Sequence, residues 1–158
     1  PQSIQHAYYI NLLHEHGIRV TDIPHIVEIG GGYGNLARIV RKMGGVGRYQ
    51  IADLPEMHRL QKTYPDSSVP GHGVEFISNE DIGGGDLLIA TFVLAEISPG
   101  AREYLETKYS KFRILFMATN DSFGDFKAMP YFIGLADRVG GEIIKDRHRN
   151  VRFLICKR

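Results

Sequence analysis

Apolar positions along the chain change their period several times, and the changes lay out an alternating series of elements. Ile4, Tyr8 and Leu12 recur at helical spacing, with Ser3 placed to cap and Gly17 to stop, so a first helix is predicted within residues 1–20. His25-Ile26-Val27-Glu28-Ile29 is a short buried run of strand character. Leu36, Ile39, Val40 and Met43 then fall at i, i+3, i+4 and i+7, the stripe of an amphipathic helix, which Gly44-Gly45 ends. Arg48 to Ala52 predicts a second strand. Asp53-Leu54-Pro55-Glu56 reads as a capping box opening a helix through Met57 and Leu60 towards Tyr64.

Val74 to Ile77 predicts a third strand and Asp86 to Thr91 a fourth, whose apolar run suits a central parallel strand. Ser98-Pro99 starts a helix through Tyr104, Leu105 and Tyr109, and a fifth strand follows over Phe112 to Met117. Pro130 to Val139 gives another helix, stopped by Gly140-Gly141. Glu142 to Lys145 and Val151 to Ile155 are separated only by a short polar turn. Parallel strands need a long crossover, so this last pair must be an antiparallel hairpin. The sum is an α/β fold: a doubly wound, mostly parallel seven-stranded sheet of Rossmann-like type with a C-terminal antiparallel hairpin. One domain is expected over residues 1–158, with the opening helix in 1–20 and the core sheet and helices in 25–158.

Composition adds limits more than content. A chain of 158 residues with 43% hydrophobic and 23% charged residues can bury one real core. A formal net charge of +1 demands neither a nucleic acid nor an acidic membrane as partner. The basic tail Arg147, His148, Arg149, Arg152, Lys157 and Arg158 is expected to be the solvated end of the hairpin. Cys156 is the single cysteine, which rules out an internal disulfide, and it sits in an alternating apolar run as a core residue. No apolar run is long enough for a bilayer and no secretory signal opens the chain, so a cytoplasmic location is the expectation. The start at Pro1 and the end within or just after a strand fit a domain cut from something longer.

The candidate chemistry lies in Glu28-x-Gly30-x-Gly32-x-Gly34, directly after the first strand. Glycines there permit backbone angles costly for other residues and let a ligand approach the main chain. The helix that follows points its free N–H groups at the same place. A dinucleotide fingerprint wants Gly or Ala in its last position, where Asn35 stands. This departure lowers the NAD reading and favours an adenosyl cofactor without a pyrophosphate, S-adenosylmethionine. About twenty residues on, Asp53 ends the second strand, where a carboxylate accepts ribose hydroxyls. Glu28 could orient the glycine loop, meet the amino group of the methionine portion through water, or serve as a structural carboxylate. Seven histidines (His6, His14, His16, His25, His58, His72 and His148) show no ligand spacing, and no Cys-x-x-Cys exists, so no metal is expected.

With the glycine motif, the acid ending strand two and the final reversed strand, the chain resembles the class I S-adenosylmethionine-dependent methyltransferases over nearly its whole length. More narrowly, Tyr49 to Glu56, Gln61-Lys62-Thr63-Tyr64 and Leu94-Ala95-Glu96-Ile97-Ser98 resemble the bacterial sugar O-methyltransferases. The Asp-Leu-Pro-Glu segment also occurs, less fully, in small-molecule O-methyltransferases of the plant and polyketide type. Their catalytic histidine after strand four has no counterpart in Leu94-Ala95-Glu96-Ile97. The resemblance implies methyl transfer to an oxygen of a small hydroxylated molecule such as a sugar. It implies cofactor contacts from Glu28, Gly30, Gly32, Gly34, Asp53, Leu54, Asn79, Thr91 and Phe92, with Asn79 facing the adenine. Acceptor chemistry belongs at the carboxyl ends of strands four and five, where Glu96 and Asp121 are the candidate bases. Each also has a plainer reading: Glu96 as a helix-approach residue, Asp121 as a turn residue beside Asn120 and Gly124. The partner expected is a small-molecule acceptor, with neither nucleic acid nor membrane, and the aromatic opening helix could cover a second copy. The rival readings are a catalytically silent cofactor-binding module or fragment, and an NAD-dependent oxidoreductase, disfavoured by Asn35 and by the lack of a Tyr-x-x-x-Lys pair after strand four.

Overall fold

The computed structural model describes residues 2–68, 73–121, 127–146 and 149–158. His72, Gly124, Arg147 and His148 therefore lie outside the described residues. Seven strands make one sheet in the order β3-β2-β1-β4-β5-β7-β6, with β1 His25–Ile29, β2 Arg48–Ala52, β3 Val74–Ile77, β4 Gly85–Thr91, β5 Phe112–Asn120, β6 Glu142–Lys145 and β7 Val151–Lys157. The α/β class, the strand count and the reversed strand near the end are as the sequence pattern predicts. The chain divides into two compact units, Pro1–Ile82 and Gly83–Arg158.

In the first unit β1, β2 and β3 are parallel, and Ile29 pairs with Ala52, which pairs with Ile77. Their carboxyl ends thus stand abreast, and Gly30, Asp53 and Ser78 leave the sheet at one level. Gly30 N–H still donates to Ala52 O at 3.0 Å and Asp53 N–H to Ile77 O at 3.4 Å. Ile26, Val27, Ile29, Tyr49 and Ile51 are buried, the burial on both faces that parallel strands require. Three helices complete the unit: α1 Gln2–Glu15, α2 Asn35–Lys42 and α3 Pro55–Ser68. α2 packs against both α1 and α3.

Four local expectations change here. α1 begins before Ser3, so Ser3 is a helical residue and not its cap. Its buried stripe is Tyr9, Ile10, Leu12 and Leu13, while Ile4 is exposed; burial of the Leu13 side chain alone contributes about 1.5–3 kcal/mol. On α2 the inward residues are Leu36, Ala37 and Val40, and Met43 is an exposed C-cap. The Asp53–Glu56 capping box does not form. α3 starts at Pro55, which places Asp53 before the cap position, and its Oδ1 accepts from the next amide, Leu54 N–H, at 2.8 Å.

In the second unit β4 and β5 are parallel, while β7 runs antiparallel to both β5 and β6. Leu87, Leu88, Ile89 and Ala90 are fully buried on β4. Phe116 on β5 and Phe153 on β7 stack with ring centres 5.8 Å apart. Buried Cys156 donates its S–H to Val139 O at 3.0 Å, the core position expected of it. The unit's helices are α4 Val93–Glu96, α5 Pro99–Tyr109 and α6 Ala128–Val139. The Ser98 hydroxyl caps α5 by accepting from Ala101 N–H at 3.3 Å. Short α4 has no counterpart among the predicted elements, and β5 continues past Met117 to Asn120. Among the described residues no helix is long and apolar enough to cross a membrane.

Candidate functional site

The turn after β1 is built from backbone that glycine alone adopts at low cost. Gly30, Gly32 and Gly34 have φ of 69°, 55° and 73°, where an L side chain costs roughly 1–2 kcal/mol per residue. Gly31 is required for a different reason: a Cβ there would come within 2.7 Å of Ile51 Cγ2. The position of Gly32, in contrast, opens onto free space. Gly34 N–H closes the bend onto Gly31 O at 2.8 Å, and Gly34 O accepts the first helical bond of α2 from Arg38 N–H at 3.0 Å. Asn35, at the start of α2, is buried and occupied elsewhere. Its amide nitrogen donates to His6 Nδ1 at 2.9 Å and to Ser3 Oγ at 3.4 Å, and its Oδ1 accepts from Arg38 Nε and NH2 at 3.0 and 2.7 Å. The residue that breaks the dinucleotide pattern therefore fastens the opening helix.

The bend and Asp53 meet through a third side chain. Gln61 on α3 is wholly buried, and its Nε2 donates to Gly32 O at 3.1 Å and to Asp53 Oδ2 at 2.6 Å. One side chain thus links the glycine bend to the Asp53 carboxylate. Leu54 and Tyr33, 60% and 49% exposed, leave apolar surface next to them. Gln61 belongs to the stretch that carries the family resemblance, yet sequence reasoning gave it no role. The available signal was its position, four residues after Met57 on the inward stripe of the helix, where a polar residue needs a partner.

Glu28 lies under the bend, its Cδ 3.4 Å from where a Gly31 Cβ would stand. Its Oε2 accepts from the Tyr49 hydroxyl at 2.8 Å. Burial pushes the Glu28 carboxyl up to about 7; the Tyr49 hydrogen bond opposes that rise and the nearby Asp53 charge adds to it. Burial, the Glu28 charge and the same hydrogen bond push the Tyr49 phenol well above its ordinary range. Asn79, two residues past β3, is half-buried, and its Oδ1 is enclosed without a hydrogen-bond partner among the described residues. Beside it the Ser78 hydroxyl donates to Asp81 Oδ2 at 2.8 Å.

The other predicted residues lie in the second unit. Thr91 ends β4, and Phe92 follows with φ 66° and ψ −23°, the one non-glycine residue of positive φ among those described. Both are half-buried. Phe92 N–H donates to Ala118 O at 2.7 Å, which holds the distorted residue onto β5. Glu96 is the exposed last residue of α4, whose Leu94 O accepts from buried Arg102 NH1 at 2.9 Å. Asn120 is the exposed final residue of β5. Asp121 follows it, ion-paired to Arg152 of β7 at 3.3 Å. No hydrogen bond joins Glu96 to Asp121. Among the described residues no three His, Cys, Asp or Glu side chains form a group able to hold a metal ion.

Solved structures align with this architecture from end to end. The methyltransferase domain of bacterial CtHen1 covers 98% of this chain and 97% of its own, at 10% identity and a TM-score of 0.75. Magnesium protoporphyrin IX methyltransferase from Synechocystis PCC 6803 with bound SAM covers 99% of this chain and 79% of its own, at 17% identity and a TM-score of 0.74. An O-methyltransferase family protein from Burkholderia thailandensis covers 97% and 58%, at 16% identity and a TM-score of 0.69. The fold is that of the class I methyltransferases. By sequence, no family model and no curated protein matches the chain. The likeness is therefore one of methyltransferase architecture and not of overall sequence.

Proposed function

We propose that this chain is an S-adenosylmethionine-dependent methyltransferase acting on an oxygen of a small hydroxylated molecule, with a sugar as the favoured acceptor. The observation that carries the reading is the junction of Gly32, Gln61 and Asp53 at the carboxyl edge of a parallel sheet. Edges of this kind are where ligands bind in α/β folds. A structure of the Synechocystis methyltransferase is known with bound SAH as well as with SAM, and those ligands suit the donors and acceptors of this chain. Asp53 keeps lone pairs for ribose hydroxyls, the Gly32 region leaves room for close approach, and Asn79 has an enclosed carbonyl oxygen, unpaired among the described residues, for an amino group such as that of adenine.

When bound, the cofactor supplies an electrophilic methyl group on a positively charged sulfur. The protein's work is then alignment, holding a hydroxyl oxygen in line with that carbon. It must also remove the hydroxyl proton. Glu96 fits the second task better than Asp121, because its carboxylate has no partner among the described residues whereas Arg152 engages Asp121. Thr91 and Phe92 are the proposed lining at the end of β4.

Calorimetric titration with S-adenosylhomocysteine and, separately, with NAD tests the cofactor assignment. Binding of the first and not the second is expected; no binding of S-adenosylhomocysteine overturns it. A radiolabelled methyl-transfer screen over hydroxylated acceptors tests the activity, and cofactor binding with no transfer to any of them favours a binding module.

A further inference from the structure

We propose that Gln61 is a ribose-positioning residue, which fixes the Asp53 carboxylate before the ligand arrives and offers its own amide oxygen to a second hydroxyl. The proposal rests on the cofactor reading above and adds to it a residue with a distinct task. The orientation of the Gln61 amide follows from its neighbours. Gly32 O and the Asp53 carboxylate are both acceptors, so the nitrogen must face them. Both N–H groups are then used, one of them in a charge-assisted bond to Asp53. Asp53 is held at both oxygens, Oδ1 by Leu54 N–H at 2.8 Å and Oδ2 by Gln61 at 2.6 Å. Its rotamer is thus set in the free protein, and each oxygen retains a lone pair to accept a hydroxyl. Such preorganisation removes an ordering cost from binding.

The second half of the argument is the atom left over. Gln61 Oε1 is buried and has no hydrogen-bond partner among the described residues, although the residue is fully enclosed. An enclosed acceptor without a donor costs stability. It belongs to the same planar amide as the nitrogen that touches Asp53, so the two acceptors are neighbours across one hydrogen bond. A vicinal diol offers two hydroxyls to such a pair, one donating to Asp53 and its neighbour to Gln61. The bond to Gly32 O ties the same side chain to the glycine bend, so ribose recognition and the shape of the bend are set together.

A thermodynamic cycle separates this role from simple scaffolding. Affinities of S-adenosylhomocysteine and of its 2′,3′-dideoxyribose analogue are measured by calorimetry for the wild type and for Gln61→Leu, with circular dichroism confirming the fold. The wild type is expected to prefer the hydroxylated ligand; Gln61→Leu should weaken that ligand about tenfold or more and the analogue by less than about twofold. Equal weakening of both ligands, or none, overturns the proposal while leaving the cofactor reading intact. Failure of the wild type to bind S-adenosylhomocysteine overturns both. Should Gln61→Leu not fold, Gln61→Glu carries the test. Its carboxylate repels Asp53 when ionised, so affinity should rise as pH falls from about 8 to about 5.5, relative to the wild type. An unaltered pH profile overturns the positioning role.

Discussion

The Tyr49 hydroxyl donates to Glu28 Oε2 at 2.8 Å, and both side chains are buried where β1 and β2 run side by side. Glu28 in this setting holds its proton up to about 7, against an ordinary value of 4.5, chiefly because burial disfavours its charge. Between those limits the native state binds a proton that the unfolded chain has released. Stability from this group is therefore complete below about pH 4.5 and is lost as pH rises towards 7. About 1.4 kcal/mol per pH unit makes the loss roughly 3 kcal/mol. Glu28→Gln retains an acceptor for Tyr49 and removes the titration. The variant should be more stable than the wild type at pH 8, with the difference shrinking towards pH 4.5. Urea unfolding at several pH values measures it, and parallel profiles for the two proteins would refute the assignment.

Asp53→Ala removes the carboxylate held by Leu54 N–H and Gln61. Affinity for S-adenosylhomocysteine should fall more than about tenfold, equivalent to at least about 1.4 kcal/mol. Calorimetry reads the change directly, and unchanged affinity would remove Asp53 from the ribose site.

The parts of the fold legible in the sequence are those where one residue type is physically compelled. Gly30, Gly32 and Gly34 adopt positive φ, so their spacing announced the bend. The apolar strands were legible because parallel strands are buried on both faces. Where two patterns overlap, the reading slipped. In α1 the residues Ile4-x-x-x-Tyr8-x-x-x-Leu12 and the neighbouring Tyr9-x-x-x-Leu13 both have helical spacing; the fold buries Tyr9 and Leu13 together with Leu12 and leaves Ile4 exposed. Asp53 and Glu56 have capping-box spacing, but Pro55 begins the helix and places Asp53 outside it. The role of Gln61 was hidden for another reason. Its acceptors include a carbonyl 29 residues upstream, and only the folded chain brings them together.

Asn35 replaces the Gly or Ala of a dinucleotide fingerprint and bonds His6, Ser3 and Arg38. Asn35→Ala should destabilise the protein by about 1–3 kcal/mol, since it removes the hydrogen bonds that a buried amide makes to half-buried His6 and Arg38. Amide exchange in α1 should quicken more than elsewhere, and no NAD affinity should appear. Burial and the Arg38 charge hold the His6 imidazole below its usual value, which keeps Nδ1 an acceptor. The native state resists protonating His6, so this contribution is present above about pH 6.5 and falls away in acid. A loss of stability confined to α1 in hydrogen exchange is the expected signature; uniform acceleration along the chain would assign Asn35 to the general core instead.

Phe92 carries an aromatic side chain at φ 66°, a conformation that glycine adopts at little cost. Its backbone N–H donates to Ala118 O at 2.7 Å, which pins the distortion at the end of β4. Phe92→Ala and Phe92→Gly both lose the ring, but only the first keeps the strain of a Cβ at that angle. Gly should therefore be more stable than Ala here by about 1 kcal/mol, the reverse of their order in regular helix and strand. Denaturant unfolding of the two variants supplies the comparison, and an Ala variant as stable as the Gly variant would dismiss the strain. The same pair addresses function: if the ring lines the cofactor pocket, both variants lose S-adenosylhomocysteine affinity by similar factors, because neither retains it. Strain relieved in one variant with affinity lost in both would explain why an aromatic residue stands where glycine is easier.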